Sequence, residues 1–351
     1  MNKYPTAPES DVVVSCRVRL ARNYSDIPFA AKMEDAHAKE TVSRAVKSIQ
    51  NANMLSMYRL FPMNEMSETE RKILVEKHLV SLDLISNKVH GAAIISTGET
   101  VSIMVNEEDH LRIQGFLPGL QLEKAAQLAF HADDVLSKNA PIAFDSKWGY
   151  LTACPTNAGT GLRASALVHL PAITIMKKMG AVIQAFGKIG FTVRGLYGEG
   201  TEAEGNLYQL SNQTAMGRSE EDVIRSLIDA CEQVAEQERE ARKNLIEHDQ
   251  DAFIDKMMRS VGILLNARLL DEKEFMRLMS DVRLAAGVGI INAPISAIDE
   301  LITKMQPASL SSLAEAPLNA RDLMLLRASE VRLSLSTLIK DNDTFISEEI
   351  K

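Results

Sequence analysis

Cysteine is scarce in this chain: there are three among 351 residues, an odd number at spacings that suggest no pairs. That argues against a disulfide framework and fits a reducing, cytoplasmic setting. Long apolar runs are also missing. No stretch of about 18 apolar residues occurs, and the opening MNKYPTAPES lacks the apolar core of a secretory signal, so a soluble chain with no membrane partner is expected. There is no basic excess either, since Lys and Arg total 39 against 47 Asp and Glu, a net charge of −8. The chain as a whole therefore offers no footprint for nucleic acid, although local arginine clusters remain able to bind phosphates. No internal repeat or low-complexity segment is evident. The length suggests about two domains at one per ~150 residues, with enough chain for a sizeable core.

What is present concentrates in residues 148–171, WGYLTACPTNAGTGLRASALVHLP. Tyr150, Leu151 and Thr152 read as the end of a strand, and residues 154–161 as a loop broken by Pro155, Asn157, Gly159 and Gly161. Arg163 is expected to begin a helix. A helix start after a glycine-bearing loop would be an anion site, because its N–H groups and dipole both face the ligand. By themselves, two glycines fit a tight connection equally well.

Upstream, a β-branched run begins at Val12. Period-2 alternation places Ser15, Arg17 and Arg19 on one face and Cys16, Val18 and Leu20 on the other, as in any half-buried strand. Residues 36–52 and the Ser67/Glu70 capping box each predict a helix, the second running through His78. Residues 90–114 predict an antiparallel meander. It is interrupted by Asn106-Glu107-Glu108-Asp109-His110-Leu111-Arg112, which fits a solvated acidic turn, or a helical pairing of Glu108 with Arg112. Residues 120–137 read as a helix on whose solvated face Asp133 and Asp134 lie. Residues 172–186 read as one apolar-striped helix, and two strands flank a glycine-spaced loop near residues 196–205. Ser219 caps a further helix. The charged stretch EQEREARKNLIEHDQD then marks a transition to helices alone.

The string CPTN followed by GTGLRAS, with Arg163 nine residues after Cys154, closely resembles the signature of the ATP:guanidino phosphotransferases. That family includes creatine and arginine kinases and a bacterial branch of protein arginine kinases. SCRVR at residues 15–19 is similar to the family's first pair of phosphate-binding arginines, with Cys16 where serine is usual. NEEDHLR almost reproduces a motif whose second glutamate, Glu108 here, holds the guanidino substrate and whose arginine, Arg112, binds phosphate. RGLYGE resembles the loop that closes over both substrates, with Arg194 on phosphate and Glu199 as the second guanidino-facing carboxylate. His78 resembles a histidine lying beside the nucleotide.

The resemblance covers about residues 11–248. It implies an α+β, phosphagen-kinase-like catalytic domain over residues 1–248, built on a largely antiparallel sheet flanked by helices. An all-helical domain for association or docking follows over residues 249–351. Catalysis would rest on Glu108, Glu199 and Cys154. Cys154, beside arginines and a helix start, is expected to have a depressed thiol pKa and to act as an electrostatic aid. ATP would be bound by Ser15, Cys16, Arg17, Val18, Arg19, His78, Arg112, Arg163, Ala164, Ser165, Ala166, Leu167, Arg194, Gly195, Leu196, Tyr197, Gly198 and Glu199. Mg-ATP enters as substrate, with no metal site or tightly bound cofactor of the protein's own.

Metabolite kinases of the family are similar to one another in carrying a helical domain before the SxRVR strand. Here about ten residues precede Asp11 and the extra helices follow the catalytic region, which resembles the protein arginine kinase branch. Arg321-Asp322, LMLL and Arg327-Ala328 resemble that branch's phosphoarginine-binding RDxxRA motif with two residues added. The branch implies arginine-containing protein substrates, an activator protein, a protein-degradation machine and homodimerisation through the C-terminal helices. Two rival readings are a kinase for free arginine or another guanidino metabolite, and a non-catalytic adaptor that binds phosphoarginine or a protease.

Overall fold

The computed structural model describes residues 7–87, 89–138, 140–195 and 203–340. Its ten strands are β1 (Val13–Arg22), β2 (Tyr58–Pro62), β3 (Ala92–Ser96), β4 (Val101–Val105), β5 (Leu111–Pro118), β6 (Phe144–Asp145), β7 (Gly149–Tyr150), β8 (Leu162–His169), β9 (Phe191–Gly195) and β10 (Leu207–Asn212). The helices before residue 190 are α1 (Asp35–Asn51), α2 (Glu68–Glu76), α3 (Leu82–Ser86), α4 (Leu122–Ser137), α5 (Pro171–Ile175) and α6 (Met179–Lys188). Then come α7 (Glu220–His248), α8 (Gln250–Asn266), α9 (Glu272–Gly287), α10 (Ile295–Lys304), α11 (Pro307–Ser311) and α12 (Ala320–Lys340). Eight strands form one sheet in the order β2-β3-β4-β5-β1-β8-β10-β9, and β6 pairs with β7. The pairings β2–β3, β3–β4, β4–β5 and β5–β1 are antiparallel. No described helix is long and apolar enough to cross a membrane.

The chain divides into two compact units. In the unit of residues 15–166 and 211–229, the meander forms as its alternation predicts, and α4 covers β5 at very close range. A Cβ added at Gly115 would stand 2.0 Å from the Ala125 carbonyl oxygen, so only glycine permits that approach. The Ser67 capping box is present, its hydroxyl accepting from the Glu70 amide at 3.2 Å while the Glu70 carboxylate accepts from the Ser67 amide at 2.7 Å. The helix it opens stops at Glu76, short of His78, which has a left-handed φ of 58°.

Asp133 does not lie on a solvated face. It is buried and takes the Arg22 guanidinium at 2.8 Å (Nη2) and 2.9 Å (Nε). Arg22, which no motif claims, is 1 % exposed, lies 3.5 Å over the Tyr150 ring and also donates to the Thr160 carbonyl at 3.1 Å. A pair so deeply buried serves packing and register, because removing one partner would strand the other charge.

The other unit comprises residues 1–14, 167–210 and 230–351. The expected single helix over residues 172–186 is two, α5 and α6, broken where Lys177 takes φ 58°. The charged stretch 236–248 continues α7 without a break. Within it Glu238 is fully buried, accepting from the Ala172 and Ile173 amides at 3.0 Å each and from Arg242 Nε at 2.9 Å. Asp249 then caps α8, and α8 to α12 enclose an apolar core that includes Met257, Leu264, Phe275, Leu278, Val282, Ile298 and Leu335.

Candidate active site

The site begins with the register of β1 on β5. Arg17 opposes Phe116, Arg19 opposes Gln114 and Ala21 opposes Arg112. Directly opposed residues share a face, so Arg112 joins Arg17 and Arg19 on one side of the sheet. Arg163 on β8 adds to the same field. Burial, then Arg112 and Arg163, lowers the Arg17 pKa to about 9. Burial, then Arg17, Arg112 and Arg163, lowers that of Arg19 well below its usual value, against the pull of Glu107. The Nε atoms of Arg17 and Arg19 are buried with no hydrogen-bond partner among the described residues. His78 stands under this face, its ring 6.4 Å from that of Phe116 and its carbonyl accepting from Gln114 Nε2 at 2.8 Å. Burial, then Arg17 and Arg19, lowers its pKa to about 4. Crowded cations held out of water are costly unless an anion joins them.

The acidic turn between β4 and β5 is neither a helix nor freely solvated. Glu107, buried, clamps the Arg112 guanidinium and accepts from the Ser81 hydroxyl at 2.5 Å. Its neighbour Glu108 points outward, and burial, then Asp109 and Glu107, raises its pKa above its ordinary value. Asp109 faces inward, where Oδ1 accepts from Asn23 Nδ2 at 2.6 Å and from the Ala153 amide at 2.7 Å. The His110 amide donates to Asn23 Oδ1 at 2.8 Å, and its Nδ1 accepts from the Tyr24 amide at 3.0 Å. Glu107, Asp109 and Asn23 carry no role in the motif reading, yet they set the site's shape. The three successive carboxylates are the one sequence signal for Glu107 and Asp109, and Asn23 has none.

Cys154, half-buried, leads into a single 3-10 turn, with Sγ 3.0 Å from the Thr156 hydroxyl. At the loop's far end Gly161 has φ 66°, and a Cβ there would meet Arg22 Nη1 at 2.5 Å. The helix expected at Arg163 is absent: residues 162–169 are strand β8, buried along most of its length. The anion site therefore has no helix N-terminus. Guanidinium side chains supply its positive field, and Cys154 stands near them without the expected dipole.

The remaining expected ligands fall in different places. Ser165 follows Arg163 by alternation on the same face, whereas Ala164 and Ala166 are fully enclosed on the opposite one. Leu167 packs against the helical core. Ser15, Cys16 and Val18 are buried in β1. The Cys16 thiol accepts from the Gln121 amide at 3.3 Å, and burial pushes its pKa up to about 11. Arg194, exposed, and Gly195, buried, end β9, while Leu196, Tyr197, Gly198 and Glu199 lie outside the described residues. Arg321 is exposed at the start of α12, and the Asp322 amide is capped by Asn319 Oδ1 at 3.0 Å. Arg327 is buried, donating to the Met305 and Leu270 carbonyls at 3.1 Å each, and Ala328 is fully buried. The second half of the RDxxRA-like stretch thus serves the helical core.

Arg19, Glu107, Glu108, Arg112, Cys154 and Arg163 wall one cavity of about 110 Å³. Guanidinium groups against a pair of carboxylates can hold a polyphosphate on one side and a planar cation on the other.

A profile of the ATP:guanido phosphotransferase C-terminal catalytic domain matches residues 38–241, and one of the protein-arginine kinase McsB C-terminal domain matches residues 250–345. The protein-arginine kinase of Caldanaerobacter subterraneus subsp. tengcongensis is 43 % identical over 93 % of this chain and 98 % of its own length. That of Moorella thermoacetica is 44 % identical over 93 % and 95 %. Among solved structures, a lombricine kinase aligns over 67 % of this chain and 71 % of its own at a TM-score of 0.57 and 22 % identity, a likeness of fold. The duplicated taurocyamine kinase from Schistosoma mansoni, solved with transition-state analogue components, aligns over 67 % and 34 % at a TM-score of 0.57 and 26 % identity. The chain therefore belongs to the ATP:guanido phosphotransferase family, in its protein-arginine kinase branch.

Proposed function

We propose that this chain transfers the γ-phosphoryl group of Mg-ATP to a terminal guanidino nitrogen of arginine side chains in proteins. The observation that carries the reading is the meeting, at one cavity, of mutually repelling arginines with the outward carboxylate of Glu108. Arg17, Arg19, Arg112 and Arg163 surround the phosphates, and the family resemblance gives Arg194 a phosphate role as well. A loose phosphoryl-transfer transition state spreads negative charge that positioned cations neutralise. Mg²⁺ enters as part of the nucleotide substrate.

The acceptor guanidinium has a pKa above about 12 and offers no lone pair at neutral pH. Glu108 aligns the planar fork through two N–H groups and takes a proton from the attacking nitrogen. An N–P bond forms, the bond from phosphorus to the β,γ-bridging oxygen breaks, and its electron pair leaves on ADP. A carboxylate whose pKa is raised is a better base for this step than a free one. Glu107 holds Arg112 in place, Asp109 fixes the turn that presents Glu108, and the Cys154 side chain lines the same cavity beside the substrate cation. The family resemblance assigns Glu199 as the second carboxylate for the guanidino group.

The helical C-terminal region would serve self-association and docking to an activator or a degradation machine in the cytoplasm, and it exposes Leu313, Leu325 and Leu333. Sedimentation across a dilution series checks the first of these, and a single monomeric species throughout would remove it. For the reaction, incubation with Mg-ATP and an unstructured arginine-containing protein should give acid-labile phosphate on arginine, located by mass spectrometry. Phosphate confined to serine or threonine, or none at all, would overturn the reading.

A further inference from the structure

Beside the catalytic loop lies a second cavity, of about 340 Å³, that phosphoryl transfer leaves unused. The hairpin β6–β7 walls one side and residues 215–220 the other, and its large apolar groups stand in solvent. Phe144 is 61 %, Trp148 51 % and Met216 45 % exposed. Single exposed apolar side chains are ordinary, but several around one concavity mark a contact surface. The surface is also braced: Phe144 meets Tyr150 edge-on at 5.2 Å, and Tyr150 lies under the guanidinium that Asp133 holds.

Gly159 and Thr160 wall this cavity, while Thr156, Asn157 and Gly161 of the same loop wall the cavity of the arginines. Backbone meets backbone across that loop. The Tyr150 amide donates to the Gly159 carbonyl at 2.8 Å, and the Thr160 amide to the Ala215 carbonyl at 3.2 Å. No side chain fits between, since a Cβ on Gly149 would stand 2.3 Å from the Gly159 oxygen and one on Gly159 2.7 Å from the Ala215 oxygen. The two cavities therefore lie on either side of one loop, with no side chain between its backbone and that of its neighbours.

We propose that this groove receives an apolar or aromatic side chain of the substrate polypeptide that lies near the arginine being phosphorylated. The inference rests on the protein-arginine reading above. An unfolded, extended segment can offer both groups to adjoining cavities at once, so the groove makes the enzyme select arginines by the apolar residues beside them. Lys147, Arg218 and Glu220 around the rim leave little net charge, which fits an apolar contact.

Trp148 is the only tryptophan in the chain, so its emission reports occupancy without any reaction. The full chain is titrated with an extended peptide carrying one arginine flanked on both sides by leucines, and with the same peptide carrying serines instead. The leucine peptide should shift the emission to the blue and show a KM about tenfold lower. Trp148→Ala should erase the KM difference and leave the serine peptide unchanged. Met216→Ser should weaken the emission shift. Equal emission and equal KM for both peptides would overturn the groove while leaving arginine phosphorylation intact. Transfer to neither peptide would overturn the underlying reading and the groove with it. Emission that shifts with protein concentration alone would show a second copy in the groove, and would also overturn the proposal.

Discussion

Asp109 Oδ1 accepts a hydrogen bond from the Ala153 amide at 2.7 Å, so the turn that presents Glu108 and the loop that presents Cys154 are fastened to each other. The same oxygen holds Asn23, just past β1. Asp109 is a positioning residue: it touches no reacting atom, but three segments depend on it. Asp109→Ala should lower kcat by about 10- to 100-fold, because small misplacements of reacting groups cost that much, while ATP affinity changes little. Titration of nucleotide binding beside turnover checks this, and parallel loss of both would mean that the variant has collapsed the site.

Glu108→Gln should separate stability from activity. Its folded pKa is raised, so the native state favours the protonated form and loses stability as pH rises from the unfolded pKa through the folded one. At neutral pH the glutamine variant should therefore melt no lower than the wild type. Turnover should fall at least ~10²-fold, and the acidic limb of its pH profile should vanish. A variant with near wild-type turnover would remove Glu108 from the chemistry.

Arg19→Met should leave the free protein as stable or more so, since it removes a buried charge among like charges. ATP binding should weaken by about 10- to 100-fold. Thermal melts with and without nucleotide check both at once, and an unchanged nucleotide-induced shift would clear Arg19 of phosphate contact.

The pH dependence should carry the mark of His78. Its pKa of about 4 lies below the unfolded value of about 6.5. Between those values the unfolded chain binds more protons, so stability falls as pH drops from about 6.5 to about 4. His78→Gln should flatten that slope, and ATP should also flatten it by neutralising Arg17 and Arg19. Melting temperatures across this range that are the same in wild type and variant would contradict the burial and repulsion assigned to the ring.

Alkylation should find Cys154 first, because Cys16 and Cys231 are buried and burial pushes the Cys16 thiol up to about 11. Mg-ATP with an arginine substrate should slow the reaction at Cys154. Peptide mapping of the labelled protein decides the order, and faster labelling at Cys231 would contradict the placement of both residues.

Local patterns were legible in the chain. Alternation put Arg17 and Arg19 on one face, and the Ser67 and Ser219 caps start α2 and α7. Residues 162–169 misled because Leu, Arg and Ala favour helix in isolation, whereas this segment sits within the sheet between β1 and β10, where small side chains buried on both faces suit a strand. The helical pairing of Glu108 with Arg112 failed because a turn and a new strand intervene, which gives Arg112 to Glu107. Asp133 and Arg22 are 111 positions apart, and no local pattern joins residues at that distance. Asp109 has the same cause: its partners come from β1's end and the segment just before Cys154, so its role follows only from the folded chain.

The central claim is that the site accepts an arginine side chain in a polypeptide. Its most direct test is one reaction containing Mg-ATP, free arginine and an unstructured arginine-containing protein at equal guanidino concentration, with phosphate on each followed over time. The account predicts phosphate on the protein's arginines and little on the free amino acid. Faster transfer to free arginine would contradict it.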